Sequence, residues 1–325
     1  SIFRPVMQSI ISCGRLVTRL VFNSLHSYSS SAVQNVSANK VDTKSSEHSC
    51  NSKRICEPRL LSVMSGFAKN LNSRQILPGR YGDDACFMAC HKIADVIGVA
   101  DGVGGWREYG IDPGIFSYSL IKSCEKLVST DHFNPTNPAE LIRKGYLELS
   151  EMKQQILGSS TACVLILNKI NRTLYTANIG DSGFLVVRKG EIVHRSEEQT
   201  HYFNTPFQLS LPPPGSSSHV LCDGPESAEI SEFPVENGDV ILVGTDGVFD
   251  NMPDALLLPQ LSSLWKSTDK NLLQQSANSI ALQARTLGFD PKYLSPFAKT
   301  ARLNGISAIG GKPDDVTVLL ATVIL

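Results

Sequence analysis

Aspartates stand at the ends of the apolar runs in this chain, and no other feature limits its fold so much. Asp101 ends the run 95–100, and Asp246 lies just past the run 240–244. Asp83 and Asp84 precede the run that starts at Ala85, and Asp314 and Asp315 precede the long run 316–324. Such runs read as buried strands. In antiparallel neighbours the end of one strand lies beside the start of the next, so these groups can meet at one sheet edge. Carboxylates gathered at the end of a core repel one another and do not stay ionised there without cations. Ligands made of carboxylates, carbonyl oxygens and water, without His or Cys, select hard octahedral ions such as Mg²⁺ or Mn²⁺. Taken singly, Asp101-Gly102 and Asp246-Gly247 read first as turns, because both residue types favour turns for conformational reasons.

The same patterning predicts strands over 85–91, 95–100, 161–168, 174–179, 184–188, 191–194, 240–244 and 316–324. Helices are announced by their caps: Asp112-Pro113, Asn137-Pro138 with Glu140 three residues on, and Ser295-Pro296. A further helix is expected from Leu272 to Leu287. Strands between 161 and 194 follow one another without room for helices and are expected to be antiparallel, joined by short turns. The class is α+β, antiparallel sheets covered by helices. Segments 42–75 and 211–218 read as the loosest.

With 42% hydrophobic and 19% charged residues, the 325-residue chain can bury a large core. A net charge of -1 removes the electrostatic case for nucleic-acid binding. The first 60 residues carry eight Lys/Arg against three Asp/Glu. No acidic residue precedes Asp42, while Arg4, Arg15, Arg19 and many serines do. That is the composition of a mitochondrial or plastid transit segment over residues 1–41. No 18-residue apolar stretch exists, so no membrane span is expected. The cysteines form no C-x-x-C pair and read as reduced, mostly buried thiols. Cys86, Cys90 and His91 lack the second ligand pair that a structural zinc site needs.

Six segments then fall in order: Gly82-Asp83-Asp84-Ala85, Ala100-Asp101-Gly102-Val103-Gly104-Gly105, Ser159-Ser160-Thr161-Ala162, Asn178-Ile179-Gly180-Asp181-Ser182-Gly183, Thr245-Asp246-Gly247 with Asp250, and Pro313-Asp314-Asp315-Val316-Thr317. This series resembles the motifs of the type 2C, metal-dependent serine/threonine protein phosphatases, from about Tyr81 to the last residue. The resemblance implies an α/β sandwich of two antiparallel sheets flanked by helices, with metals at one edge. It implies that Asp101 bridges two ions, that the Gly102 carbonyl joins one of them, and that Asp246 and Asp314 complete the first. Asp83 resembles a ligand of the second ion and Asp84 a partner of its waters. Asp181 resembles the aspartate that recruits a weaker third ion with Asp246. Asp101 and Asp246 are thereby the expected catalytic pair, and Arg80 is a candidate for binding phosphate. In two places the chain departs from the pattern. Val103 stands where most relatives carry a proton-donating histidine, and Arg80 lies three rather than four residues before Asp83.

The residues 201–209 and 310–315 look like the mitochondrial branch that acts on coenzyme Q biosynthesis. The implied activity is hydrolysis of phosphoserine and phosphothreonine on mitochondrial proteins by water held between two metals. Phosphoproteins are the implied partners, and the protein is expected to be a monomer. The organisation expected is a transit segment (1–41), a loose linker (42–75) and a catalytic domain (76–325). A catalytically weak binding module on the mitochondrion is the alternative, favoured by Val103 and opposed by the retained carboxylates.

Overall fold

A computed structural model describes residues 57–70, 77–215 and 220–325. The expected transit segment therefore lies outside the described residues. In chain order the elements are β1 (Arg59–Phe67), β2 (Arg80–Tyr81), β3 (Asp84–His91), β4 (Ala94–Asp101), a 3-10 turn (Gly104–Tyr109), α1 (Pro113–Val128), α2 (Pro138–Ser150), β5 (Gly158–Ser160), β6 (Ala162–Asn168) and β7 (Thr173–Ile179). There follow β8 (Gly183–Arg188), β9 (Glu191–Arg195), β10 (Thr200–Tyr202), β11 (Thr205–Pro206), β12 (Leu209–Leu211), β13 (Glu229–Pro234) and β14 (Val240–Gly244). The chain closes with α3 (Asp246–Phe249), α4 (Asp254–Ser262), α5 (Lys270–Gly288), α6 (Pro296–Leu303) and β15 (Val316–Ile324).

Two antiparallel sheets result, a six-stranded one ordered β13-β7-β6-β4-β3-β2 and a five-stranded one ordered β1-β15-β14-β8-β9. Their inner faces meet through Ile97, Val99, Cys163, Leu165, Phe184, Val243 and Leu319. The outer face of the first sheet packs Val96, Val164 and Ile166 against Phe116 and Leu120 of α1 and Ile142 of α2. The outer face of the second packs Leu185, Leu242 and Leu320 against Leu257 and Leu261 of α4 and Ile280 of α5. Central strands covered on both faces need apolar residues at every position, which is why β6, β14 and β15 read as continuous runs rather than alternating ones. The three proline-marked caps form as expected: Asp112 accepts from Gly114 N, Asn137 from Glu140 N, and Ser295 from Ala298 N.

Two expectations are corrected and one is refined. The segment expected as a loose linker contains β1, which pairs with β15 from Arg59↔Ile324 to Phe67↔Val316 and buries Leu60 and Val63. The strands of 161–194 are antiparallel and joined by short turns, as expected, but they divide between two sheets. β6–β7 and β8–β9 pair, but β7 and β8 lie in different sheets and the chain crosses between them at 180–182. Gly180 makes that passage with a φ of 100°, where a Cβ would meet Phe207 O and Thr161. The cysteines were expected to be mostly buried, and Cys86 is, yet Cys90 on the same strand is exposed. Cys90 stands near the end of β3, where burial falls off, and Lys169 Nζ lies 3.5 Å from its Sγ.

Candidate metal centre

One end of the sandwich collects the aspartates. Asp84 and Asp101 are direct register partners on β3 and β4. On the other sheet Gly183, Gly244 and Val318 are aligned, so Asp181 before β8, Asp246 after β14 and Asp314 before β15 leave at the same end. Asp101, Asp181 and Asp246 each offer a carboxylate oxygen, and these oxygens all lie within 4.8 Å of one another.

Each position is held by its surroundings. The Asp101 amide donates to Thr161 Oγ1 (3.0 Å), and its carbonyl accepts from Thr161 N (2.9 Å) and Ser160 Oγ (2.8 Å). Gly102 N donates to Asp83 O (3.0 Å), and a Cβ at Gly102 would stand 2.5 Å from the Pro113 carbonyl oxygen. At Gly247 a Cβ would collide with the Asp315 carbonyl. Neither glycine has a positive φ. Both are needed for close approach of backbones at the cluster, not for the turn conformation that their sequence suggests when read singly.

Asp84 is buried, and its Oδ2 accepts from Thr245 Oγ1 (2.7 Å) and Thr317 Oγ1 (2.8 Å). Asp83 is gripped by Arg107, and its amide donates to Asp315 Oδ2 (2.7 Å). Asp315 also accepts from Lys69 N, so it acts as a main-chain clamp. The oxygens Asp84 Oδ1, Asp181 Oδ1 and Asp246 Oδ1 are buried without a hydrogen-bond partner. Groups of this kind are costly unless something is to be bound.

Arg80 does not reach this cluster with a free guanidinium. Its Nη2 lies on Asp112 (2.9 and 3.1 Å) and its Nε donates to the Gly82 carbonyl (3.0 Å), so it secures the cap of α1. Arg107, with 58% of its side chain exposed, is the guanidinium beside the aspartates. Its position, three residues beyond Gly104 in a short turn, gives no sequence signal. Asp250 and Lys312 were present in the motifs without a role. The Lys312 ammonium contacts Asp246 Oδ2 and lies 2.7 Å from Asp250 Oδ2 and 3.6 Å from Asp314 Oδ2.

Burial, followed by mutual repulsion, pushes Asp84, Asp101 and Asp181 well above the usual carboxylate range. The same causes raise Asp314 to about 7 and Asp250 to about 6. Burial also acts to raise Asp246, but the Lys312 ammonium outweighs it and holds the carboxyl below its ordinary value. All the donors are oxygens, several are unpartnered, and the cluster prefers protons when no other cation is there. This set fits a hard divalent ion such as Mg²⁺ or Mn²⁺.

A pH dependence follows. Unfolded, these carboxyls ionise near pH ~4. Folded and metal-free, Asp250 and Asp314 ionise near 6 and 7. Their raised folded values give stability that is fully present below the unfolded pKa and is lost as pH rises through the folded one. The melting temperature of EDTA-treated protein is expected to fall between about pH 4 and about pH 7, and Mn²⁺ should abolish most of the fall. A flat melting profile in EDTA contradicts this account of the cluster.

Comparison with known proteins agrees with the geometry. The family described as Stage II sporulation protein E (SpoIIE) matches residues 96–324. The chain is 49% identical to the protein phosphatase PTC7 homolog of Xenopus laevis over 98% of both chains. It is 53% identical to the protein phosphatase PTC7 homolog of Homo sapiens over 81% of this chain and 87% of that one. The solved structure of the photosystem II phosphatase PBCP superposes with a TM-score of 0.67 at 28% identity, covering 81% of this chain and 98% of that chain. A motif series, a sandwich with its carboxylates at one end and near-full-length relatives thus converge, and the chain belongs to the PP2C-type protein phosphatases, among the PTC7 homologues.

Proposed function

We propose that this protein phosphatase hydrolyses phosphoserine and phosphothreonine esters on mitochondrial proteins, among them proteins of coenzyme Q biosynthesis. The observation that carries the chemistry is the convergence of Asp101, Asp181 and Asp246 with buried, unpartnered oxygens. In this reading Asp83, Asp84, Asp101, Asp181, Asp246, Asp314 and the Gly102 carbonyl hold two Mg²⁺ or Mn²⁺ ions and their waters. Divalent ions held there would supply activated water and neutralise the phosphoryl oxygens.

The chain's own groups set the geometry. Thr245 and Thr317 fix Asp84 by one oxygen and leave the other buried without a partner. Pro113 and Asp83 confine the Gly102 backbone. Arg107 neutralises Asp83 and, being largely exposed, is within reach of an anionic group arriving from solvent. Val103 has no proton to give, and its amide donates to Ser159 O (3.0 Å), so the leaving alcohol takes its proton from another group. The location rests on the composition of residues 1–41, and the coenzyme Q connection on residues 201–209 and 310–315.

Two assays test the reading. Phosphopeptides should be hydrolysed with Mn²⁺ in preference to phosphometabolites, and EDTA should abolish the reaction. A fluorescent fusion should enter mitochondria and lose that location when residues 1–41 are deleted. EDTA-insensitive turnover sinks the chemistry, and unchanged localisation after the deletion sinks the targeting.

A further inference from the structure

Lys312 is the one cation in contact with Asp246 among the described residues, and its place is built. The backbone on either side of the ammonium stem is pinned by Asn251. The Lys312 amide donates to Asn251 Oδ1 (2.8 Å), and its carbonyl accepts from Asn251 Nδ2 (2.9 Å). Asn251 is itself buried and also donates to the Gly247 carbonyl (3.0 Å), which ties Lys312 to the turn that carries Asp246. The Phe297 ring lies over the ammonium, 5.1 Å from nitrogen to centroid. Only 16% of the side chain is exposed. The backbone lock fixes where the side chain starts, and the aromatic lid and the carboxylates hold its end.

The two oxygens of Asp246 are thereby divided. Oδ2 belongs to Lys312, while the buried Oδ1 is left for the group formed with Asp101 and Asp181. Asp250 Oδ2 is also taken up by the ammonium. The edge of the cluster made by Asp246 and Asp250 therefore already holds one positive charge before any divalent ion arrives. A further cation drawn to Asp246 Oδ2 and Asp250 Oδ2 would have to displace the ammonium or be repelled by it where water is excluded.

We propose that Lys312 is a built-in cation that closes the Asp246–Asp250 edge of the centre to a divalent ion and so fixes its capacity at two. It is a positioning residue: it sets the charge and the orientation of Asp246 and touches no reacting atom. The proposal rests on the two-metal reading above, and it removes the weaker third ion that Asp181 and Asp246 were expected to recruit.

The test is equilibrium dialysis of Mn²⁺ against the full chain, with metal content and free Mn²⁺ read by electron paramagnetic resonance. Wild type should saturate at two ions and take no third up to millimolar Mn²⁺. Lys312→Met frees Asp246 and Asp250 and should raise the capacity to three, with turnover rising more steeply with Mn²⁺ concentration. Adding Asp250→Asn to Lys312→Met should return the capacity to two, whereas a merely structural lysine would leave the count unmoved in all variants. A third ion in the wild type, or an unchanged count in Lys312→Met, overturns the proposal while leaving the two-metal reading intact. Wild type that binds no Mn²⁺ overturns both. If Lys312→Met does not fold, the wild-type capacity still decides.

Discussion

Asp101→Asn is expected to lower phosphopeptide hydrolysis at saturating Mn²⁺ by at least ~10³-fold, equivalent to about 4 kcal/mol of transition-state stabilisation. The side chain shares a 4.8 Å cluster with Asp181 and Asp246, so loss of its charge weakens every ion the cluster holds. The fold should survive. The bonds that hold position 101 use its amide and carbonyl, to Thr161 and Ser160, and asparagine keeps both. Relief of carboxylate repulsion should leave the metal-free protein at least as stable as wild type. Hydrolysis assays, Mn²⁺ binding and melting in EDTA measure the three quantities. A folded Asp101→Asn protein with near-normal, EDTA-sensitive turnover would remove Asp101 from the centre.

A chain beginning at residue 76 is expected to fail as a stable domain, while one beginning at residue 57 should fold and turn over normally. The shorter chain loses β1 and with it the buried Leu60 and Val63, each worth ~1.5–3 kcal/mol, and the half-buried Leu61, Met64 and Phe67. A loss on the order of 5 kcal/mol or more is comparable with the whole stability of many domains. It also strips the pairing from β15 and exposes a nine-residue apolar strand edge, an aggregation hazard. The loss reaches the centre too, because Lys69 N holds Asp315, which in turn holds Asp83 N. Expression, light scattering and denaturant melts of the two chains decide. A soluble, cooperative and active 76–325 protein would refute the role given to β1.

What could be read from the sequence, and what could not, has physical causes. β14 and β15 were legible to the residue because strands buried on both faces admit only apolar side chains. The capped helices were legible because a cap is a local bond between near neighbours. β1 was not, since Ser62, Ser65 and Gly66 interrupt its apolar positions. Gly66 is there because a Cβ would strike the Tyr81 ring and the Val316 carbonyl. α4 was hidden by Pro259 within it. The aspartates were legible as strand-end groups, but the partners that govern them were not. Thr245 and Thr317 lie 161 and 233 residues from Asp84, and Asn251 is 61 residues from Lys312. A lysine two positions before Asp314 reads as a solvated charge until the fold encloses it, and an arginine before Asp83 reads as a phosphate ligand until Asp112 claims it.

The passage of the chain between sheets at 180–182 gives the centre a mechanical character. Asp84 and Asp101 ride on one sheet, Asp246 and Asp314 on the other, and Asp181 on the strap that joins them. Any ion shared among these groups rivets the two layers at one end, and the spacing of the layers fixes the distances available to it. That spacing is set by side chains such as Phe184, Val243 and Leu319 in the interior between the sheets, packed too tightly to yield by more than small increments. Residues with no chemistry of their own therefore act as the gauge blocks of the reaction. Drift in their volume would detune the catalyst without altering a single ligand.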